Sequence, residues 1–230
     1  MPDTERAEIS GMAVTWRQLS SDAAPGDSAL GLWVLADPDA TIDAMTQEEF
    51  DRTDERMPYF AMVWASADSL VARVLAGPRL DGLRILDLGC GLGACGFAAA
   101  SRGAQVTFFD WEPRALEIVQ ASAARQPQSA SSFAFVVGDW RDPPLMEPFD
   151  LILGADVLYE QRNAPAVAAF LAGHLKPGGS AWIGDPGRPQ AGPFPALAQA
   201  HGLQLASTEI MPPRPHNIEI TLLRVLQPPT

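Results

Sequence analysis

Lysine is almost missing from this 230-residue chain: Lys176 is the only one, and 16 basic residues face 28 acids for a net charge of −12. Nucleic-acid phosphates and anionic membrane surfaces need clustered bases, so this balance excludes both as partners. Cysteine is as scarce. Cys90 and Cys95, the two present, share one glycine-rich stretch and could close only a trivially short loop, which leaves them as small packing residues rather than a disulfide staple. The three histidines (His174, His201, His216) are scattered, with no cysteine at zinc spacing, so no metal is predicted. No apolar run reaches the length of a membrane span of about 18 residues or more. The first ten residues carry Asp3, Glu5, Arg6 and Glu8 rather than the cationic start of a secretory signal. A soluble, cytoplasmic protein is expected.

What is present is an ordinary globular composition, 47% apolar, long enough for one good-sized core plus an extension. The acids are uneven: residues 1–56 hold 13 of the 28 but only four bases. Met12 to Leu19 and Leu30 to Leu35 read as short strands, with a Pro25-Gly26-Asp27 turn between them. Ser66 is expected to cap a helix bearing Ala67, Leu70, Val71 and Val74 on one face.

From Leu83 onward strand and helix patterns alternate, the signature of a parallel sheet covered on both faces. The expected strands are Arg84–Leu88, Gln105–Phe109, Phe133–Val137, Phe149–Leu153, Ser180–Ile183, Leu203–Ile210 and Asn217–Leu226. Pro113 suits a first helical position, ahead of Leu116, Val119 and Ala123. Asn163 is expected to cap a helix with Val167, Phe170, Leu171 and Leu175 on one face, making His174 a boundary residue. Lys176-Pro177-Gly178-Gly179 stops that helix. The last two strands, joined by a loop alone, should form an antiparallel hairpin at a sheet edge.

The most informative segment is Asp87-Leu88-Gly89-Cys90-Gly91-Leu92-Gly93, between the apolar strand and the small-residue stretch Ala94 to Ala100. A glycine-rich turn from strand to helix brings backbone close to a ligand and aims helix N–H groups at it, as a nucleotide cofactor requires. Gly91-Leu92-Gly93-Ala94-Cys95-Gly96 also fits the dinucleotide pattern, so NAD or FAD is one candidate. A carboxylate two positions before the first glycine instead favours a cationic ligand, and S-adenosylmethionine (SAM) carries a sulfonium and an ammonium. Asp110, at the end of the second strand of this series, can accept both ribose hydroxyls. Gly138-Asp139-Trp140, at the end of the third, offers an acceptor for an adenine amine and a ring to line it. The fourth ends in Gly154-Ala155-Asp156-Val157-Leu158-Tyr159-Glu160.

Taken together, the glycine motif, Asp110, Asp139, Asp-Val-Leu-Tyr and Leu175-Lys176-Pro177-Gly178-Gly179 resemble the class I, seven-strand SAM-dependent methyltransferases. Asp156-Val157-Leu158-Tyr159 resembles the Asp-x-x-Tyr signature of a branch rich in protein lysine methyltransferases. Pro58-Tyr59-Phe60-Ala61 with Trp64, and Ile183-Gly184-Asp185-Pro186-Gly187-Arg188, resemble the electron-transfer flavoprotein beta-subunit lysine methyltransferases. That likeness runs from Met57 to Arg188. It departs at Phe60, where the family usually has tryptophan, and at Ala65-Ser66-Ala67, where it has Pro-Gly-Gly.

The resemblance implies an α/β, Rossmann-like, doubly wound sheet of seven strands with the last antiparallel, in residues 66–230, behind an N-terminal extension of residues 1–65 that caps substrate or cofactor. It implies SAM as cofactor, S-adenosylhomocysteine as product, and cofactor contacts from Trp64, Asp87, Gly89, Cys90, Gly91, Gly93, Asp110, Trp111, Asp139, Trp140 and Ala155. Methyl transfer needs donor and acceptor in line, so positioning can supply most of the catalysis. Asp156 is the candidate to orient or deprotonate a lysine amine, and Tyr159 to set a hydroxyl or ring face against it. Tyr59, Phe60 and Trp64 are candidate walls. Arg188 and Asp185 either shape the substrate mouth or pair with each other, and His216 is a possible proton acceptor or an exposed loop residue. The acceptor is a protein lysine or, alternatively, a small molecule methylated on nitrogen or oxygen. A nicotinamide-dependent oxidoreductase and a non-catalytic SAM-binding protein are the competing classes, and the oligomeric state is left open.

Overall fold

A computed structural model describes residues 5–19, 30–43, 59–128, 130–212 and 217–229. The Pro25-Gly26-Asp27 turn, Pro58 and His216 lie outside them.

Seven strands form the main sheet: β4 (Arg84–Leu88), β5 (Gln105–Asp110), β6 (Phe133–Val137), β7 (Phe149–Ala155), β8 (Leu175–Asp185), β9 (Gln204–Met211) and β10 (Ile220–Leu226). Their order across the sheet is β6-β5-β4-β7-β8-β10-β9. The strands β4 to β8 are parallel, and β10 runs antiparallel to both β8 and β9. The terminal hairpin therefore folds back so that the later strand fills the slot beside β8 and the earlier one becomes the edge. Residues 217–219, expected in the last strand, precede it.

Alternation along β4 builds two cores. Ile85 faces α2 (Ala65–Leu75), α3 (Ala94–Ser101) and α4 (Pro113–Ala123) among Leu70, Phe97 and Val119, whereas Leu86 and Leu88 face α5 (Asn163–His174) and α6 (Phe194–Ala200) among Val167, Phe170 and Phe194. Helices on both faces are what a buried parallel sheet requires. Among the described residues no helix is long and apolar enough to cross a membrane.

Two caps differ from expectation. Trp64, not Ser66, holds the cap position of α2, without a side-chain bond, and Ser66 is the helix's buried second residue, its Cβ beside Gly184. Arg162 holds the cap position of α5, leaving Asn163 as its buried first residue. In both helices packing against the sheet outweighs the weaker capping preference. Pro113 does open α4, where the Glu112 side chain accepts the Arg114 N–H. The α5 helix ends at His174, ahead of Lys176-Pro177-Gly178-Gly179, and Lys176 pairs with Asp150 at 2.8 Å.

A second sheet precedes the first: β1 (Arg6–Ile9), β2 (Met12–Gln18) and β3 (Gly31–Leu35), all antiparallel, with a short α1 (Pro38–Asp43) after them. The first of these strands was not expected, because its four residues are mostly exposed and show no apolar period. Ser10 and Gly11, both at positive φ, make the tight turn that pairs it with β2. This sheet docks on α4: Ser122 Oγ accepts the Trp33 N–H at 2.9 Å, and Gln126 Nε2 donates to the Gly31 carbonyl at 2.6 Å. The Arg125 guanidinium lies over Trp16 and Trp33, 4.4 and 5.0 Å from the ring centroids.

Candidate functional site

A cleft opens at the carboxyl ends of β4, β5 and β7, where open α/β sheets bind ligands. Its floor is the turn after β4. Gly89 and Gly91 lie at φ +61° and +49°, and a Cβ on Gly91 would stand 3.2 Å from the Phe60 carbonyl oxygen. A Cβ on Gly89 would meet the Trp140 ring at 2.9 Å. Only glycine supplies that backbone without strain or collision. Asp110 ties the turn to β5, its Oδ2 accepting the Gly91 N–H at 2.8 Å and its Oδ1 the Glu112 N–H at 3.0 Å.

Of the residues singled out from sequence, Tyr59, Phe60, Trp64, Gly89, Cys90, Gly91, Asp110, Trp111, Trp140, Ala155, Asp156, Tyr159 and Arg188 line this one cleft. Asp87, Gly93 and Asp139 do not. Asp87 is turned beneath the loop, buried, with Oδ2 accepting the Gly96 N–H at 2.8 Å. Burial pushes its carboxyl up to about 8. The expectation that this charge faces the ligand is thus corrected: its place in β4 aims it at α3, and Gly96 is the glycine that lets helix and strand approach. Gly93, at φ +82°, starts α3 against Phe97 and Phe108. Asp139 takes the Arg141 guanidinium at 2.7 Å and its backbone N–H at 2.8 Å. Burial acts to raise its pKa, but these Arg141 contacts outweigh that and hold the carboxyl below its usual range.

Acid character in the cleft comes instead from Asp110, Glu112, Asp156 and Glu160, with Arg114 and Arg188 as the bases. Arg114 is held by Glu112 at 2.9 Å. Burial also pushes the Cys90 and Cys95 thiols up, consistent with their expected role as small packing residues.

The β7 side holds an acid set in rings. Asp156 sits at φ +58°, a conformation aspartate tolerates better than most residues, and its N–H donates to the Gly184 carbonyl at 2.8 Å. Arg188 grips its carboxylate with both ends, Nε to Oδ1 at 2.5 Å and Nη2 to Oδ2 at 2.8 Å. That bond raises the arginine's already high value further. The side chain of Arg188 therefore pairs with Asp156; Asp185 meets it only through the backbone, its Oδ1 accepting the Gly187 and Arg188 N–H groups at 2.8 Å. Both tyrosines of the chain meet here, Tyr59 lying 5.4 Å from Tyr159 and 6.0 Å from Trp64 between ring centroids. The Trp64 indole N–H donates to the Tyr59 carbonyl at 2.9 Å. Sequence reading did not single out Met62, Val63, Ala67, Leu92, Ala94, Arg114 or Glu160 as cleft residues: Leu92, Ala94 and Glu160 lie within quoted motifs without a role assigned, and the others carry no motif and are found only by the fold.

Residues 85–179 match the family model described as a methyltransferase domain, and the seven-strand fold is one shared with solved methyltransferases. A magnesium protoporphyrin IX methyltransferase from Synechocystis, solved with bound SAM, aligns with a TM-score of 0.60 at 22% identity, covering 83% of this chain and 89% of that one.

Among individual relatives, a protein N-lysine methyltransferase of Danio rerio is 35% identical over 54% of this chain and 59% of its own length. An electron transfer flavoprotein beta subunit lysine methyltransferase of Xenopus laevis is 32% identical over 61% of this chain and 57% of its own. A ubiquinone biosynthesis O-methyltransferase of Xanthomonas campestris is 30% identical over 61% and 56%. The chain spans about half the length of the relatives it matches.

Proposed function

We propose that this protein is a SAM-dependent methyltransferase whose acceptor is the side-chain amine of a protein lysine. The observation that carries the reading is the pairing, in one cleft, of a glycine turn cradled under Asp110 with a buried acid among aromatic rings at the end of β7. The residues present fit the cofactor: backbone at Gly89 and Gly91 free of side chains, a carboxylate at the end of β5 for ribose hydroxyls, and the Trp111 and Trp140 rings. Four acids against two bases suit a ligand with cationic centres better than a pyrophosphate. Bound there, SAM supplies a methyl group activated by its sulfonium.

The chain's own task is placement. Asp156, fixed by the Gly184 carbonyl, orients the acceptor nitrogen, and Tyr59, Trp64 and Tyr159 wall off water and favour a cation beside them. An amine must lose its proton before it attacks: apolar walls favour its neutral form, and the Asp156 carboxylate is placed to take the proton. The likeness to two lysine methyltransferases supports the acceptor class. A small-molecule acceptor is the second reading, supported by the ubiquinone-pathway relative.

Calorimetry with SAM and NAD side by side tests the cofactor: SAM binding alone is expected, and NAD binding without SAM overturns the assignment. Mass spectrometry of a host proteome before and after addition of enzyme and SAM tests the acceptor. New lysine methylation is expected; methylated low-mass material alone moves the assignment to the second reading.

A further inference from the structure

The acid among the rings already holds a cation, and that cation belongs to the protein. The Asp156 side chain is only 5% exposed, so it cannot rely on water for compensation, and it receives two charge-assisted bonds from one guanidinium. The same guanidinium carbon stands 5.8 Å from the Trp64 ring centroid, within cation–π reach. A carboxylate joined to clustered aromatic faces is the recognition chemistry of an organic ammonium. Arg188 satisfies that chemistry from within, in the very cleft an acceptor would enter.

The arginine is also placed to leave. A third of its side chain is exposed. It is carried on the turn Asp185-Pro186-Gly187-Arg188, pinned at the backbone by Asp185, so its side chain can swing out while the turn stays folded. Gly187 sits at φ +85° with open space where a Cβ would stand.

We infer that Arg188 is an exchangeable internal counter-ion: it occupies the cation site formed by Asp156 and the Tyr59, Trp64 and Tyr159 rings, and a protonated primary amine on an unbranched chain displaces it. The exchange keeps the buried carboxylate compensated at every stage, and it rejects acceptors that bring no positive charge. The proposed function supplies the identity of the amine, a lysine side chain; the exchange itself does not depend on methyl transfer.

The probe is n-butylammonium, with n-butyrate and n-butanol as controls, and the readout is the melting temperature of the full chain. In Arg188→Ala, n-butylammonium at ten times its Kd is expected to raise Tm by about 3–6 °C. The wild type, whose own guanidinium competes, should shift less, and the controls should not act. Arg188→Gln, which keeps hydrogen-bond donors for Asp156 without a charge, serves the same purpose should the alanine variant not fold. Adding Asp156→Asn is expected to cancel the response. Stabilisation by n-butyrate, no response to n-butylammonium in either variant, or a response that survives Asp156→Asn would overturn the inference. Loss of SAM binding with the ammonium response intact would instead overturn the methyltransferase reading alone.

Discussion

Asp87 shows how a single side chain can serve a ligand site without facing it. Its buried carboxyl, raised to about 8 against an ordinary 3.8, is held by the folded state in its protonated form near neutrality. The folded value lies above the unfolded one, so the stability this proton contributes is complete below pH 3.8 and is lost as pH rises towards 8. Thermal melts from pH 5 to 8 are expected to show this decline. Asp87→Asn, which cannot ionise, should flatten it, and an unchanged slope would show that other groups set the profile. The residue type and position were legible in the sequence. Its orientation was not, because strand alternation aims it at α3 and only the packing of Gly96 against it reveals the target. The Arg188–Asp156 pair was hidden for a related reason: the partners are 32 positions apart, and nothing local says whether an arginine will choose Asp156 or the nearer Asp185.

At the level of elements, the turn after β4 shapes the cleft, and buried hydrogen bonds hold the N-terminal sheet to α4. Gly91→Ala places a Cβ near the Phe60 carbonyl at a positive φ, a change costing about 1–2 kcal/mol and so about 2–8 °C in Tm. Weaker SAM binding should accompany it in calorimetry, since relieving the contact shifts the turn and the Phe60 backbone apart, and both line the cleft. Ser122→Ala removes the hydroxyl that accepts the buried Trp33 N–H, leaving that donor unpaired at a cost of about 1–3 kcal/mol in urea denaturation. The strands of the main sheet were readable because apolar runs bounded by glycine and proline repeat between helical patterns. Ser66 and Asn163 misled because capping preference is weak beside burial, and β1 escaped notice because an exposed edge strand leaves no apolar period.

For the whole molecule, the net charge of −12 would draw in the cationic acceptor proposed above. Its long-range attraction is screened over about 8 Å at physiological ionic strength, so kcat/KM for an amine acceptor should fall as salt rises from about 0.01 to 0.15 M. Steady-state kinetics across a salt series tests this, and an acceptor indifferent to salt would point to a neutral small molecule.

The order of β8, β10 and β9 also governs when the sheet can close during synthesis. Strand β9 emerges first yet bonds only to β10, so it has no seat until the later strand slides into the gap beside β8. A nascent chain halted between the two would present the bare rim of β8 and a loose, unzipped strand, an opening for chaperones and proteases that shuts only once β10 has been made.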